Sequence, residues 1–232
     1  MALMSPRLRA EGFVHGFTTR PGDPPALGPT LFQASQVHGS GVLEVRPGDH
    51  PQALRGLEAD ALVARSPGHA VGVRVADCVP VLLADRETGH VAAVHAGWRG
   101  LLAGVLPAAL GALAGGPRGA LVASVGPHIG PCCFEVASEV ATRLAEGSPP
   151  AVVWKRDGER PTVDLGALAE HQLRTHGVPL VERVNLCTRC HPALFFSYRR
   201  DGPLAGRMVG FVAVRAPTGP DHANARGWSR TP

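Results

Sequence analysis

At 232 residues, 44% of them hydrophobic but only 5% aromatic, the chain is long enough to bury a sizeable core built mostly from Val, Leu and Ala. Its 23 basic residues leave a formal net charge of +4 but are scattered along the chain. That excludes the concentrated basic stripe of a nucleic-acid binder and suits a small anionic ligand better. No run reaches the ~18 apolar residues needed to cross a bilayer, and "MALMSPRLRAEGF" lacks a signal-peptide core, so no membrane association is expected. A cytoplasmic location is expected, in which the five cysteines stay reduced.

Residues 1–30 read as irregular and rich in Pro and Gly, "RPGDPPALGPT" above all. From about residue 60, "DALVAR", "AVGVRVAD", "VPVLLADR" and "HVAAVHAG" are short Val-rich runs separated by turn signals. They predict strands, several buried on both faces. "WRGLLAGVLPAALGALAGG" predicts a helix that Pro107 kinks or divides. "ALVASVGP" predicts a further strand, and "FEVASEVATRLAEG" a helix closed by Gly147. In "DLGALAEHQLRTHG", Asp164 is placed as N-cap and Gly177 just past the helix end. "LVERVNL" and "RMVGFVAVRA" supply late strands. Strands clustered between residues 60 and 95 argue for a mixed α/β (α+β) fold and against a doubly wound one. A single domain is expected over residues 1–216, with a disordered tail over 217–232.

Three segments carry candidate chemistry: "QVHG" with Gln36 and His38, "ADC" with Asp77 and Cys78, and "HAGWRG" with His95 and Arg99. Two imidazoles and a thiolate, His38, Cys78 and His95, make a reasonable zinc set that leaves a fourth position open. A zinc ion there would acidify a water to a pKa of about 7. By spacing alone, a hydrogen-bonded His95 at a strand end is the commoner reading. A metal-free alternative makes Cys78 a nucleophile and His95 its base. "GPHIGPCCFEV" predicts a tight loop before a helix, where Cys132 or Cys133 would have a lowered pKa, against the commoner fate of a small buried hydrophobe. "CTRCH", residues 187–191, matches a haem-attachment pattern that needs an export context, and a lone C-x-x-C lacks the second pair of a Cys₄ zinc site. Ordinary loop thiols are expected there. "FFSYRRDG" places Arg199 and Arg200 where they clamp an anion or form a solvated turn. Phosphate-binding glycine loops and a G-x-S-x-G elbow are absent from the sequence.

Six motifs occur in order: "GFTTR", "QVHG", "ADCVP", "HAGWRG", "GPHIGPCCFEV" and "CTRCHPALFFSYRRDGPLAGR". Through them the chain, from about residue 12 to 215, resembles the bacterial laccase-domain family, long labelled multicopper polyphenol oxidases and now described as purine nucleoside phosphorylases with adenosine deaminase activity. The resemblance implies a mixed β-sandwich flanked by helices, likened to cysteine-hydrolase toxins. It implies metal ligation by His38, Cys78 and His95, by zinc with copper as the alternative. It also implies phosphorolysis of adenosine, inosine and methylthioadenosine, and deamination of adenosine. The partners are then a small nucleoside and phosphate. Arg20, Arg99, Arg199 and Arg200 are candidates for the phosphate, Gln36 for substrate contact, and Asp77 and Cys133 join Cys78 and His95 as candidate catalytic groups. Alternatives are a cysteine-type amidase editing peptidoglycan precursors, a copper polyphenol oxidase, and an inactive metal-binding protein. None of the 11 histidines forms an H-x-H pair, so no multicopper centre is expected. The family carries a longer segment than the 15 residues, Pro21 to Ser35, that here separate "GFTTR" from "QVHG".

Overall fold

A computed structural model describes residues 2–20, 30–114, 118–154 and 160–215. A six-stranded mixed sheet is its centre. Its spatial order is Leu180–Arg183, Leu121–Val125, Val79–Asp85, Val91–Ala96, Ala61–Ala64 and Val42–Val45. A five-stranded sheet lies on one face, in the order Ala2–Leu3, His15–Thr18, Met208–Ala213, His69–Val75 and Thr30–Phe32. Helices Val105–Leu113, Ser138–Ala145 and Leu165–Thr175 cover the other face.

The apolar runs of the central strands follow from this sandwiching. Side chains alternate across a strand. Leu62, Leu82, Ala84, Val91 and Ala93 therefore pack against Phe17, Phe32, Val71 and Val212 of the second sheet. Their neighbours Val63, Val81, Leu83, Ala92 and Val94 pack against Leu106, Leu110, Leu168 and Leu173 of the helices. Neither face meets water, so both registers of the strand must be apolar. Truncating a side chain such as Leu82, fully buried, to Ala costs about 2–5 kcal/mol.

The mixed α/β architecture of sheets flanked by helices agrees with the sequence reading, and the described residues form one domain. Three differences have physical causes. The helix after residue 97 is divided, into Trp98–Leu102 and Val105–Leu113, but at Gly104, whose φ is +81°. Pro107 lies in the first turn of the second piece, where a backbone N–H has no intrahelical acceptor to lose. The helix expected from Phe134 starts only at Ser138. Residues 134–136 are instead held extended against 161–163, by Val136 N–H donating to Pro161 O and Val163 N–H to Phe134 O. The N-terminal stretch holds strands His15–Thr18 and Thr30–Phe32, too short and too polar to show periodicity. The tail expected over 217–232 lies outside the described residues. Among the described residues no helix is long and apolar enough to cross a membrane.

Candidate active site

The register of the central sheet brings together three chain segments far apart in sequence. Strand Val91–Ala96 is antiparallel to both Ala61–Ala64 and Val79–Asp85, pairing Val94 with Ala61 and Ala96 with Val79. The residues just before two strands, Asp60 and Cys78, therefore meet His95 near the end of the third. His38 reaches the same point from the loop before Val42–Val45. Donor atoms of His38, Cys78 and His95 all lie within 4.8 Å of one another. His38 Nε2 is 3.7 Å from Cys78 Sγ, and the two imidazole rings stand edge to face with centroids 4.7 Å apart.

Asp60 organises this cluster. Its Oδ1 lies 2.7 Å from His95 Nδ1 and accepts that N–H, which leaves Nε2 as the ring nitrogen toward Cys78. The same carboxylate accepts the backbone N–H groups of Val37, His38 and Gly39 at 3.2, 2.9 and 2.7 Å. Those bonds hold His38 at φ +62°, a left-handed conformation that costs a non-glycine residue energy. Burial alone raises the Asp60 carboxyl, yet the His95 and backbone hydrogen bonds outweigh it and keep the pKa below its ordinary value. Gly97 completes the fit. A Cβ there would lie 3.0 Å from His38 Cδ2 and 3.2 Å from Cys78 Sγ, so the turn passes the cluster only as bare backbone.

The thiol and imidazole are mutually polarised. Burial pushes the Cys78 pKa up, but hydrogen bonds and charge from His38 and His95 bring it down to about 6. Burial pulls His95 down, and its bonds to Asp60 and Cys78 raise it to about 9. A thiol, two imidazoles and a carboxylate orienting one of them make a donor set and supporting contact suited to a metal ion, with a fourth position open.

Asp77 is the other residue besides His38 among the described non-glycine residues at positive φ, +89°. Its Oδ1 accepts Thr188 Oγ1–H at 2.6 Å, and its Oδ2 accepts Ser197 Oγ–H at 3.1 Å and Arg199 N–H at 2.7 Å. Both oxygens are thus occupied by protein donors. Asp77 thereby ties the Thr188 and Arg199 loops beside Cys78. Gln36 is similarly committed: its amide exchanges two hydrogen bonds with the Arg74 backbone, at 2.7 and 2.8 Å, and pins the loop carrying His38.

A cavity of about 600 Å³ opens over the cluster. Gln36, Asp77, Arg99 and Arg199 line it, as the sequence reading expects. Arg74, Arg207, Trp98, Phe134 and Tyr198 line it too, although the sequence reading gave them no role. Arg199 is held by the Glu135 carbonyl at 3.1 Å and lies over the Phe134 ring. Arg99 stacks on Trp98 with 4.5 Å between guanidinium and ring centre, and among the described residues no carboxylate pairs with it.

Three expected site residues are elsewhere. Arg200 forks onto Asp201 at 2.8 Å and donates to the carbonyls of Thr188, Arg189 and Phe195, so its guanidinium is used up inside the loop. Arg20 lies over Phe196 and donates to Pro192 O, outside the cavity lining. Cys133 is not at a helix N-terminus, because that helix begins at Ser138. It sits in a turn among other cysteines. Asp60 is the residue that sequence reasoning missed. An acid before a strand reads as a turn residue, and its only signal is proximity in the folded sheet.

The family model described as multi-copper polyphenol oxidoreductase laccase matches residues 26–215. The purine nucleoside phosphorylase YfiH of Shigella flexneri is 40% identical over 178 residues, 76% of this chain and 71% of that protein. Among solved structures, a Bacillus licheniformis hypothetical protein YfiH aligns with a TM-score of 0.81 at 25% identity, covering 92% of this chain and 96% of that one. A Neisseria meningitidis protein aligns with a TM-score of 0.73 at 36% identity, covering 82% and 76%. The chain belongs to this laccase-domain family.

Proposed function

We propose that this laccase-domain protein is a zinc-dependent purine nucleoside phosphorylase that also deaminates adenosine. The observation that carries the reading is the make-up of one cavity. A two-histidine, one-thiol donor set, three aromatic residues and four arginines line it. The names of relatives from Shigella flexneri and Pseudomonas aeruginosa, both purine nucleoside phosphorylases, support the same reaction class.

In phosphorolysis a phosphate oxygen bonds to ribose C1′ as the bond from C1′ to the purine breaks, and the purine departs with the electron pair. Arg99 suits the phosphate best, since the guanidiniums of Arg74, Arg199 and Arg207 donate to backbone carbonyls whereas that of Arg99 makes no hydrogen bond among the described residues. Arg74, Arg199 and Arg207 add a positive field that raises the local anion concentration. Trp98, Phe134 and Tyr198 offer faces to the purine ring. Zinc, when held by His38, Cys78 and His95, supplies a Lewis acid and an acidified water beside this pocket, which is what hydrolytic deamination at the purine C6 requires. Asp60 keeps the His95 proton on Nδ1, and Asp77 and Gln36 hold the loops that carry Cys78, Arg199 and His38.

One observation favours a second reading. The donor atoms of Cys78 and His95 lie within 4.8 Å of each other, with the thiol pKa drawn down and the imidazole pKa drawn up, which is the arrangement that a cysteine amidase needs. Zinc content and adenosine turnover of Cys78→Ser separate the two. The nucleoside reading expects zinc at this site and both nucleoside activities to fall together. Full nucleoside turnover by Cys78→Ser lacking zinc there would overturn it, and amide hydrolysis that disappears with no effect on nucleosides would favour the amidase.

A further inference from the structure

The remaining four cysteines form a second cluster that shares no residue with the first. Cys132 and Cys133 lie in the turn after His128, and Cys187 and Cys190 in the loop after strand Leu180–Arg183. All four Sγ atoms lie within 4.8 Å of one another. Cys190 Sγ is 3.4 Å from Cys133 Sγ and 3.6 Å from Cys132 Sγ. These are contacts between free thiols, not disulfides. A tetrahedral zinc with bonds of ~2.3 Å to sulfur sets its sulfurs roughly 3.8 Å apart, so the cluster is dimensioned for one ion.

The backbone is arranged around the same point. Gly130 N–H donates to Cys187 Sγ at 3.3 Å. N–H groups directed at a sulfur stabilise a thiolate and orient a metal ligand. The two loops are registered before any sulfur is considered: His128 N–H donates to Leu186 O and Thr188 N–H to His128 O. The C-x-x-C of residues 187–190 therefore does have a second pair, supplied by adjacent cysteines more than fifty residues earlier in the chain.

We propose that Cys132, Cys133, Cys187 and Cys190 bind a second zinc ion, in a closed four-thiolate site whose role is structural. Four protein donors leave no position for substrate. What the site clamps is one wall of the active-site cavity. Thr188, inside the C-x-x-C, bonds Asp77, while the Cys133 carbonyl, within the adjacent pair, and Phe134 and the Glu135 carbonyl, just after it, seat Arg199. This inference does not rest on the nucleoside reading and would stand if that reading failed.

The test is made in a Cys78→Ser background, where the first site is crippled. The protein is purified under reductant and titrated with Zn²⁺ and with Co²⁺. We expect one equivalent of tightly held zinc. We expect the intense sulfur-to-cobalt charge-transfer and tetrahedral d–d bands of a four-thiolate site. Adding Cys187→Ser and Cys190→Ser should abolish both. Should that variant not fold, the Cys78→Ser protein alone decides: saturating zinc should raise its Tm and a strong chelator should reverse the rise. No metal bound to reduced Cys78→Ser protein would overturn the proposal. So would cobalt bands that survive loss of Cys187 and Cys190, or zinc that leaves the Tm unchanged.

Discussion

The His95 Nδ1 and Asp60 Oδ1 atoms are 2.7 Å apart, and through that contact one buried carboxylate sets both the ring orientation of His95 and the backbone of the loop that carries His38. Asp60→Asn keeps the shape but removes the charge that holds the proton on Nδ1. Zinc affinity should fall by roughly 10–100-fold, measured by chelator competition, as for other supporting contacts to a ligating histidine. Asp60→Ala should in addition lower folding stability by about 1–3 kcal/mol, because three backbone N–H groups lose their acceptor. Unchanged zinc affinity in Asp60→Asn would remove Asp60 from the account.

Gly97→Ala tests the close approach of the turn. The added methyl would press on His38 Cδ2 and Cys78 Sγ. The cost in stability should be about 1–3 kcal/mol, as for other overpacked sites, with metal affinity lowered alongside it. Gly111, where a Cβ meets nothing within 4 Å, is the control: Gly111→Ala should be neutral or stabilising and leave metal binding alone.

The cavity lining separates arginines that the motifs could not. Arg99→Ala should raise the KM for phosphate at least tenfold with little change in Tm. Arg200→Ala should do the reverse, lowering the Tm through loss of its Asp201 pair and three carbonyl contacts, because that side chain belongs to the loop. Arg20→Ala should leave the phosphate KM unchanged. Steady-state kinetics at varied phosphate, paired with thermal melts, distinguishes these outcomes.

The strands between residues 61 and 96 were legible because burial on both faces turns them into unbroken apolar runs. Helix Leu165–Thr175 was legible because Asp164 and Gly177 mark its ends. The donor triad was not legible by spacing: His38, Cys78 and His95 come from separate segments, and the resemblance of motifs assembled them before the sheet register did. Asp60 and the four-cysteine cluster escaped for one shared reason. A contact made by strand order and loop pairing leaves no local pattern, so "CTRCH" read as an isolated pair while its partners stood in another motif. Arg199 and Arg200, adjacent in sequence, looked equivalent until the fold turned one to the cavity and the other into the loop.

Asp164 gives a pH prediction. It caps helix Leu165–Thr175 through Ala167 N–H at 2.8 Å, and Arg183 donates to both of its oxygens at 2.9 Å. Burial raises its carboxyl, but the His128 imidazole 3.9 Å away and the bonds from Ala167 and Arg183 overcome this and hold the pKa well below the ordinary 3.8. A depressed acid stabilises the fold fully above its unfolded pKa and loses that stabilisation as pH falls toward its folded value. Asp164→Asn should therefore cost about 1–3 kcal/mol at neutral pH. The gap in Tm from the parent should be constant down to about pH 4 and narrow below it. A gap that widens on acidification would contradict the assignment.

The central claim is tested most directly by chromatography of the products from adenosine incubated with zinc-loaded protein, with and without phosphate. The account predicts adenine that forms only when phosphate is present, and inosine that forms with or without it. Stoichiometric zinc at the His38, Cys78 and His95 site with neither product would contradict it.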